Sequence, residues 1–103
     1  MVCVEKRTPH YDLGHVRVEV ARLGVAAFTK TALDGGRQMG LTTDEMLGVV
    51  ASLARHDFYK SMTTYADHRI WQDVYHAMTP ANKIAYIKIT LRGAVPIVQF
   101  KEK

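Results

Sequence analysis

The sequence predicts an α+β domain in which three amino-terminal helices pack on one face of a four-stranded, mostly antiparallel sheet. In the first half, residues 46–53 carry apolar side chains three and four positions apart, which is typical of a helix. In the second half, residues 83–91 alternate in the manner of a strand with one buried face. The length of 103 residues predicts a single domain over residues 1–103, because two domains would each bury too little apolar surface.

The beginning of the chain is predicted to be an exposed arm followed by a helix. Residues 2–9 form the predicted arm, because Pro9 bars a helix before it. Residues 10–23 fit two patterns, since residues 16–20 alternate like a strand while the apolar residues of the whole segment fall at helical spacing. The helical period covers the longer stretch and Gly24 follows as a stop, so a helix is predicted.

Two further helices are predicted. Residues 29–39 form a short helix that is interrupted by the glycine pair at 35–36 and ended by Gly40. The third helix begins at Thr42, because Thr42 and Glu45 match a capping box, in which a hydroxyl and a carboxylate satisfy free backbone amides. The apolar stripe of this helix is predicted to belong to the core.

Strands are predicted only in the second half, and the first two form a hairpin. Residues 58–64 and 69–75 are rich in the aromatic, β-branched and hydroxyl residues typical of strands. Turn-forming residues at 65–68 separate these two segments. A loop is predicted at 76–82, and Pro96 predicts that the last strand lies at a sheet edge or carries a bulge. The predicted strands cover residues 58–64, 69–75, 83–91 and 95–101.

Two polar residues interrupt apolar rows of the predicted hairpin. Because side chains alternate across a strand, Phe58, Lys60 and Met62 are expected on one face. Gln72 is likewise expected on the same face as Val74. An ammonium or an amide within an apolar row indicates either a sheet edge or a group that is presented to a ligand.

The composition limits the classes of protein to consider. The formal charge is +4, and the basic residues after Ala81 favour binding to a polyanion such as nucleic acid, while a solvated basic face is the alternative. Neither a run of about 18 apolar residues nor a signal peptide is recognisable, so a cytoplasmic protein is expected. Cys3 is the only cysteine, which excludes an internal disulfide, and the five histidines lack the helical spacing of a zinc site.

A set of polar residues is suited to gripping a phosphate on an open sheet surface. It consists of Lys60, Gln72, Tyr86, Lys88 and Lys101. Ammonium groups neutralise phosphate oxygens, while phenol and amide groups hydrogen-bond the reacting centre. No carboxylate cluster accompanies the set, which argues against a metal-dependent nuclease and leaves RNA cleavage by the RNA's own 2′-hydroxyl, with DNA not a substrate. The alternative is that the lysines are solvated and that Tyr86 is a core residue.

Three stretches of the chain carry specific motifs. They are the opening EKRTPH, the hairpin DFYKSMTTYADHRIWQDVY and the closing VQFKEK. In this order they resemble the MqsR family, the motility quorum-sensing regulator toxins of bacterial toxin-antitoxin pairs. The resemblance implies a RelE-like fold and an mRNA interferase that cuts at short sites beginning GC without ribosome, metal or other cofactor. It also implies silencing by an MqsA-type antitoxin that binds zinc and DNA.

The resemblance further implies which residues act. Those that match the catalytic positions of the family are Lys60, Gln72, Tyr86 and Lys101. Apart from the resemblance, the residues predicted to contact RNA are Lys88, Arg69, His68 and Lys103. The expected substrate is single-stranded mRNA, and DNA is expected to be contacted only through the antitoxin complex. After Tyr75 the chain reads His76-Ala77-Met78, where the family is expected to carry arginines around a proline.

Two other classes of function fit the same residues. In a non-catalytic RNA- or DNA-binding module, the same cations only anchor phosphates. In a protein-interaction domain, the sheet edge near Pro96 receives a strand from a partner. Cleavage of RNA separates the enzyme from both alternatives.

Overall fold

Helices precede the sheet along the chain, apart from one short strand near its beginning. The computed structural model describes residues 3–103, and none of its helices is long and apolar enough to cross a membrane. Its helices are α1 (Leu13–Leu23), α2 (Lys30–Gln38) and α3 (Thr43–Ala51), with 3₁₀ turns at Gly24–Ala27 and Arg55–Asp57. Its strands are β1 (Glu5–Lys6), β2 (Phe58–Thr63), β3 (Trp71–Met78), β4 (Ile84–Arg92) and β5 (Val95–Glu102). The predicted α+β class with three helices is confirmed.

The strands form one antiparallel sheet in the order β1-β2-β3-β4-β5. The prediction of four strands is wrong, because part of the predicted arm forms β1. In this strand Glu5 lies opposite Met62, and Lys6 lies opposite Ser61. A strand of two residues has no side-chain periodicity, so nothing in the sequence pattern reveals it. Val2, where the predicted arm begins, lies outside the described residues.

Side-chain caps fix where the helices begin. The Asp12 carboxylate accepts a hydrogen bond from the first turn of α1, so this helix starts at Leu13 rather than at His10. At α3 the predicted capping box is present. The Thr42 hydroxyl accepts from the Glu45 amide at 3.1 Å, and the Glu45 carboxylate accepts from the Thr42 amide at 2.9 Å.

The glycine pair does not interrupt α2, contrary to the prediction. A Cβ atom at Gly35 would collide with the carbonyl oxygen of Phe100 in β5, and one at Gly36 would collide with the Met46 side chain. The two glycines therefore allow α2 to lie close to both the sheet edge and α3. Gly40, with a φ of 85°, provides the predicted turn after the helix.

One face of the sheet forms the hydrophobic core with the helices. The buried sheet residues of this core are Tyr75, Ala77, Ala85, Ile87, Ile89, Val98 and Phe100. The helices contribute Val16, Val20, Ala32, Met46, Val49 and Val50. The predicted alternation of β4 is confirmed, because Ile87 and Ile89 are buried while Tyr86 and Lys88 are partly exposed on the opposite face. We call this opposite side of the sheet the open face.

A bulge in the hairpin changes one predicted face. Phe58 lies opposite Tyr75 whereas Lys60 lies opposite Val74, so Tyr59 is an extra residue in β2. The Phe58 ring packs against the Tyr75 ring with 5.6 Å between centres, on the core side. The prediction that Phe58 shares a face with Lys60 is therefore wrong, because alternation reverses at the bulge.

The third strand begins and ends later than predicted. It starts at Trp71 rather than at Arg69 and continues to Met78. The predicted loop at 76–82 is therefore wrong in its first part. The side chain of Ala77 is buried, so the alternation of β3 continues beyond the predicted end of the strand.

A buried carboxylate ties the beginning of the chain to the sheet. Asp73, only 1% exposed, accepts hydrogen bonds from the backbone amides of His10 at 3.0 Å and Tyr11 at 2.9 Å. The Tyr11 hydroxyl donates to the Trp71 carbonyl at 2.8 Å. Hydrogen bonds to a charged group are strong and replace the water that this carboxylate has lost. They hold the segment before α1 against β3 and so keep β1 beside β2.

The outer edge of the sheet is partly occupied. Pro96 lies in β5, which is the last strand of the sheet. The edge position that Pro96 predicts is therefore confirmed. Next to it, Phe28 forms a parallel bridge with Val98, and the Thr29 amide donates to the Val98 carbonyl at 3.2 Å. A partner strand that added here would have to displace these contacts.

Candidate active site

The four residues predicted to be catalytic lie on the open face of the sheet. Tyr86 in β4 is paired with Lys101 in β5, so their side chains are neighbours across two strands. Lys60 in β2 lies opposite Val74 in β3. Gln72 precedes Val74 by two residues in the same strand and therefore points to the same side. The open face thus gathers two ammonium groups, a phenol and an amide.

Lys60 is held by a carboxylate from the beginning of the chain. Its Nζ atom lies 2.6 Å from Oε2 of Glu5, which the pairing of β1 with β2 brings alongside. This hydrogen bond raises the pKa of Lys60 and lowers the pKa of Glu5. The Lys60 side chain is only 18% exposed, so much of its length is shielded. Lys60 is therefore a fixed cation and is poorly suited to act as a general base.

Two further lysines lie close together on the β4–β5 side. Lys88 is paired with Gln99, and the Nζ atom of Lys101 lies 5.5 Å from the centre of the Tyr86 ring. Burial lowers the pKa of Lys88, and the positive charge of Lys101 lowers it further. The ammonium of Lys88 is thus less stable than that of an exposed lysine, and a bound anion would restore its stability.

Two aromatic residues outside the predicted site, Tyr59 and His76, lie beside Tyr86 on the open face. The rings of Tyr59 and His76 stack with 4.4 Å between centres, and the centre of the Tyr86 ring is 5.3 Å from that of His76. Within residues 3–103, Nε2 of His76 is buried without a hydrogen-bond partner. Burial, followed by the charge of Lys103, lowers the pKa of His76, which favours the neutral imidazole. Such a row of rings is suited to stacking on a nucleobase.

The sequence contains a signal for only one of these two residues. Apolar Ala77 follows Tyr75 by two residues and so extends the alternation of the strand, which would have placed His76 on the open face. Tyr59 reaches the open face only because of the bulge, for which the sequence gives no signal. Glu5 is likewise not predicted to belong to the site, because it lies in the predicted arm.

The structure separates the residues predicted to contact RNA into two groups. Lys88 lies on the open face, and Lys103 is close enough to His76 to influence its pKa. His68 and Arg69 lie instead in the connection between β2 and β3. The Arg69 guanidinium there is paired with Asp67 at 3.0 Å, which stabilises this connection. His68 and Arg69 therefore lie outside the strands that carry the four catalytic candidates.

The chemical groups of the open face fit a phosphodiester. Ammonium groups provide positive charge for the phosphate oxygens, and phenol and amide groups provide hydrogen-bond donors. In the described part of the chain, histidine, cysteine, aspartate and glutamate form no group of three or more able to hold a metal ion. The arrangement is suited to anion binding and proton transfer by side chains.

Comparison with known proteins identifies the family of this chain. Residues 8–102 match the family described as motility quorum-sensing regulator, toxin of MqsA. A curated relative, the mRNA interferase toxin MqsR of Escherichia coli (strain K12), is 46% identical over 100 residues, which cover 97% of this chain and 100% of the relative. The chain therefore belongs to the MqsR toxin family.

Proposed function

We propose that this chain is an endoribonuclease that cuts mRNA at short, GC-containing sites of the GCU type without needing a ribosome or a metal ion. By cutting mRNA it inhibits translation and growth, and it acts in the cytoplasm as the toxin of a type II toxin-antitoxin pair. The name of the Escherichia coli relative, mRNA interferase toxin, supports the reaction. The family description, toxin of MqsA, supports an MqsA-type antitoxin as the partner. That this antitoxin binds zinc and DNA is what the resemblance implies. The RelE-like fold implied by the resemblance is part of this proposal.

The observation that carries the proposal is the set of groups on the open face. In the proposed reaction, the 2′-hydroxyl of the RNA loses its proton and its oxygen attacks the adjacent phosphorus. The bond from phosphorus to the 5′-oxygen then breaks, and this oxygen takes up a proton. The products carry a 2′,3′-cyclic phosphate and a 5′-hydroxyl.

Each group has a role that fits its surroundings. The fixed ammonium of Lys60 stabilises the negative charge that develops on the phosphate oxygens. Lys101 adds a second positive charge beside the Tyr86 phenol, which is placed to exchange a proton with a reacting oxygen. Gln72 offers its amide as a hydrogen-bond donor and needs no change of charge.

The test is a digest of defined RNA by the purified chain in the presence of EDTA. We expect cleavage that leaves 2′,3′-cyclic phosphate ends, and we expect the same RNA with a 2′-deoxyribose at the cut position to remain whole. Cleavage of that deoxy-substituted linkage would contradict the mechanism. RNA that remains intact but is retarded on a gel would instead indicate a non-catalytic RNA-binding module.

A further inference from the structure

A pocket of about 350 Å³ lies beside the catalytic candidates, between the beginning of α2 and the open face. Its sheet wall includes Tyr86, Lys88, Gln99 and Lys101. Its helix wall includes Thr29, Thr31 and Ala32. Two of the four proposed catalytic residues thus also form part of this pocket.

We infer that this pocket receives one unstacked nucleobase of the RNA, from a nucleotide next to the linkage that is cut, and that Gln99 and Thr31 read the edge of the base. This inference rests on the proposed function, because it assumes that the linkage lies over the open face. It adds a specificity site that the catalytic residues alone do not provide.

The dimensions and lining of the pocket fit a single base. Its volume lies near the lower end of the range for small-molecule sites, roughly 300–1,000 Å³, so it suits one ring system rather than a longer segment. Ala32 and Phe100 contribute to its lining, which is mostly apolar and therefore suits the flat surface of a base. The amide of Gln99 and the hydroxyl of Thr31 each both donate and accept hydrogen bonds, as reading a base edge requires.

The charges around the pocket favour a nucleotide over an uncharged ligand. Lys88 and Lys101 both line it, and each is able to neutralise a backbone phosphate next to the bound base. A second concavity, between α3 and the end of β3, differs because its lining includes the carboxylates of Glu45 and Asp57. Carboxylates repel phosphates, so the pocket at the open face is the better site for RNA.

Sequence-specific readers of RNA hold splayed bases in this way, through hydrogen bonds to their edges. Gln99 is exposed and lies in β5 opposite Lys88, so its amide is available on the side where the linkage would bind. Replacing this amide by a carboxylate would leave only acceptors, which favour bases that offer an amino group, such as cytosine. Replacing it by a hydrocarbon would remove the readout.

The experiment is a digest of an RNA pool with randomised positions around the cut, read by sequencing the new ends. For Gln99→Leu we expect the preference at one position next to the cut to fall on the order of tenfold. For Gln99→Glu we expect the preference at the same position to move towards amino-bearing bases. The preference is a ratio of sites within one digest, so a general loss of activity cancels.

Two controls make the result decisive. Gln38→Leu makes the same chemical change at an exposed glutamine at the end of α2, outside the lining of the pocket, and should leave the preference as it is in the parent. Thr31→Val should weaken the preference at the position affected by Gln99→Leu. If Gln99→Leu, Gln99→Glu and Thr31→Val all keep the parental preference, the pocket is not a base site, although the nuclease proposal stands. If the parental chain does not cut RNA at all, the nuclease proposal itself fails.

Discussion

On the β1–β2 side of the open face Lys60 faces a carboxylate, whereas on the β4–β5 side Lys88 faces a second ammonium. The first arrangement is an ion pair of 2.6 Å with Glu5, and it raises the pKa of Lys60. The second combines burial with the charge of Lys101 and lowers the pKa of Lys88. The surroundings of Lys60 therefore favour its ammonium form, whereas those of Lys88 disfavour it.

This difference assigns different tasks to the two sides. A cation that is already neutralised by Glu5 is well positioned, but a phosphate must compete with that carboxylate for it. A cation beside another cation gains most from an anion, because the bound phosphate relieves the repulsion. We therefore expect the β1–β2 side to position the reacting phosphate and the β4–β5 side to provide most of the attraction for the RNA.

The largest expected effect is the loss of a proposed catalytic group on either side. We expect Lys60→Ala and Tyr86→Phe each to slow RNA cleavage by about tenfold to a thousandfold, the usual scale for losing a charge-stabilising or acid-base group. Single-turnover cleavage measures this effect. Both side chains lie outside the hydrophobic core, so thermal unfolding should show that both variants remain folded.

A matched control uses a paired cation elsewhere on the surface. Arg22 on α1 is bound to Glu19 at 2.8 Å, on a helix that packs on the opposite side of the sheet, and Arg22→Ala should cut RNA at the parental rate. If Lys60→Ala and Tyr86→Phe also cut at the parental rate, the residues assigned to the site are wrong even though the family is established.

A smaller effect is expected from removing the carboxylate of the β1–β2 side. Glu5→Gln takes away a negative charge that repels phosphate, so we expect RNA to bind about three- to tenfold more tightly at low salt. Fluorescence anisotropy with an uncleavable, 2′-deoxy-substituted RNA measures this binding. Glu102→Gln removes an exposed carboxylate that is paired with Lys83 at 3.8 Å, and it should change binding less. Equal effects of the two substitutions would mean that only net charge matters.

The smallest effects concern stability at alkaline pH. There Lys60 and Lys88 change the free energy of unfolding in opposite directions as the pH rises. The pKa of Lys60 is raised in the folded chain, so its contribution is complete below the ordinary lysine pKa and is lost as the pH rises through the raised value. The pKa of Lys88 is lowered, so the unfolded chain binds more protons between the lowered and the ordinary value, and stability rises with pH in that window.

Substitution by methionine separates these two contributions. Below the ordinary lysine pKa, Lys60→Met should lower the free energy of unfolding, because it removes a favourable ion pair. Lys88→Met should raise it, because a partly buried methionine has no charge to desolvate. Urea unfolding at neutral pH measures both changes. If both substitutions change the free energy of unfolding in the same direction, the two lysines do not have opposite surroundings.

The accurate predictions from sequence rest on local patterns. The capping box of Thr42 and Glu45 and the alternation around Ile87 are set by neighbouring residues, and both are present in the structure. The shared face of Tyr86 and Lys101 follows from strand alternation combined with hairpin pairing of β4 and β5. Such features need no information about distant parts of the chain.

The wrong predictions concern contacts between distant segments. The pairing of β1 with β2, and with it the ion pair of Glu5 and Lys60, joins residues far apart in sequence. The bulge at Tyr59 is set by the register with β3 and has no local signature. The glycine pair, predicted to interrupt α2, instead allows the close approach of Gly35 to β5. Sequence thus predicted which candidate side chains share the open face better than it predicted the charges and rings around them.

The most direct test of the account asks where an uncleavable RNA binds. We compare NMR spectra of the free chain with spectra recorded after addition of a 2′-deoxy-substituted RNA. We expect the largest chemical-shift changes at Lys60, Tyr86 and Lys101. Signals from Glu19 and Arg22 on α1 should remain nearly unchanged. Changes concentrated on α1, with the signals of the open face unaffected, would contradict the claim that this sheet surface holds the linkage to be cut.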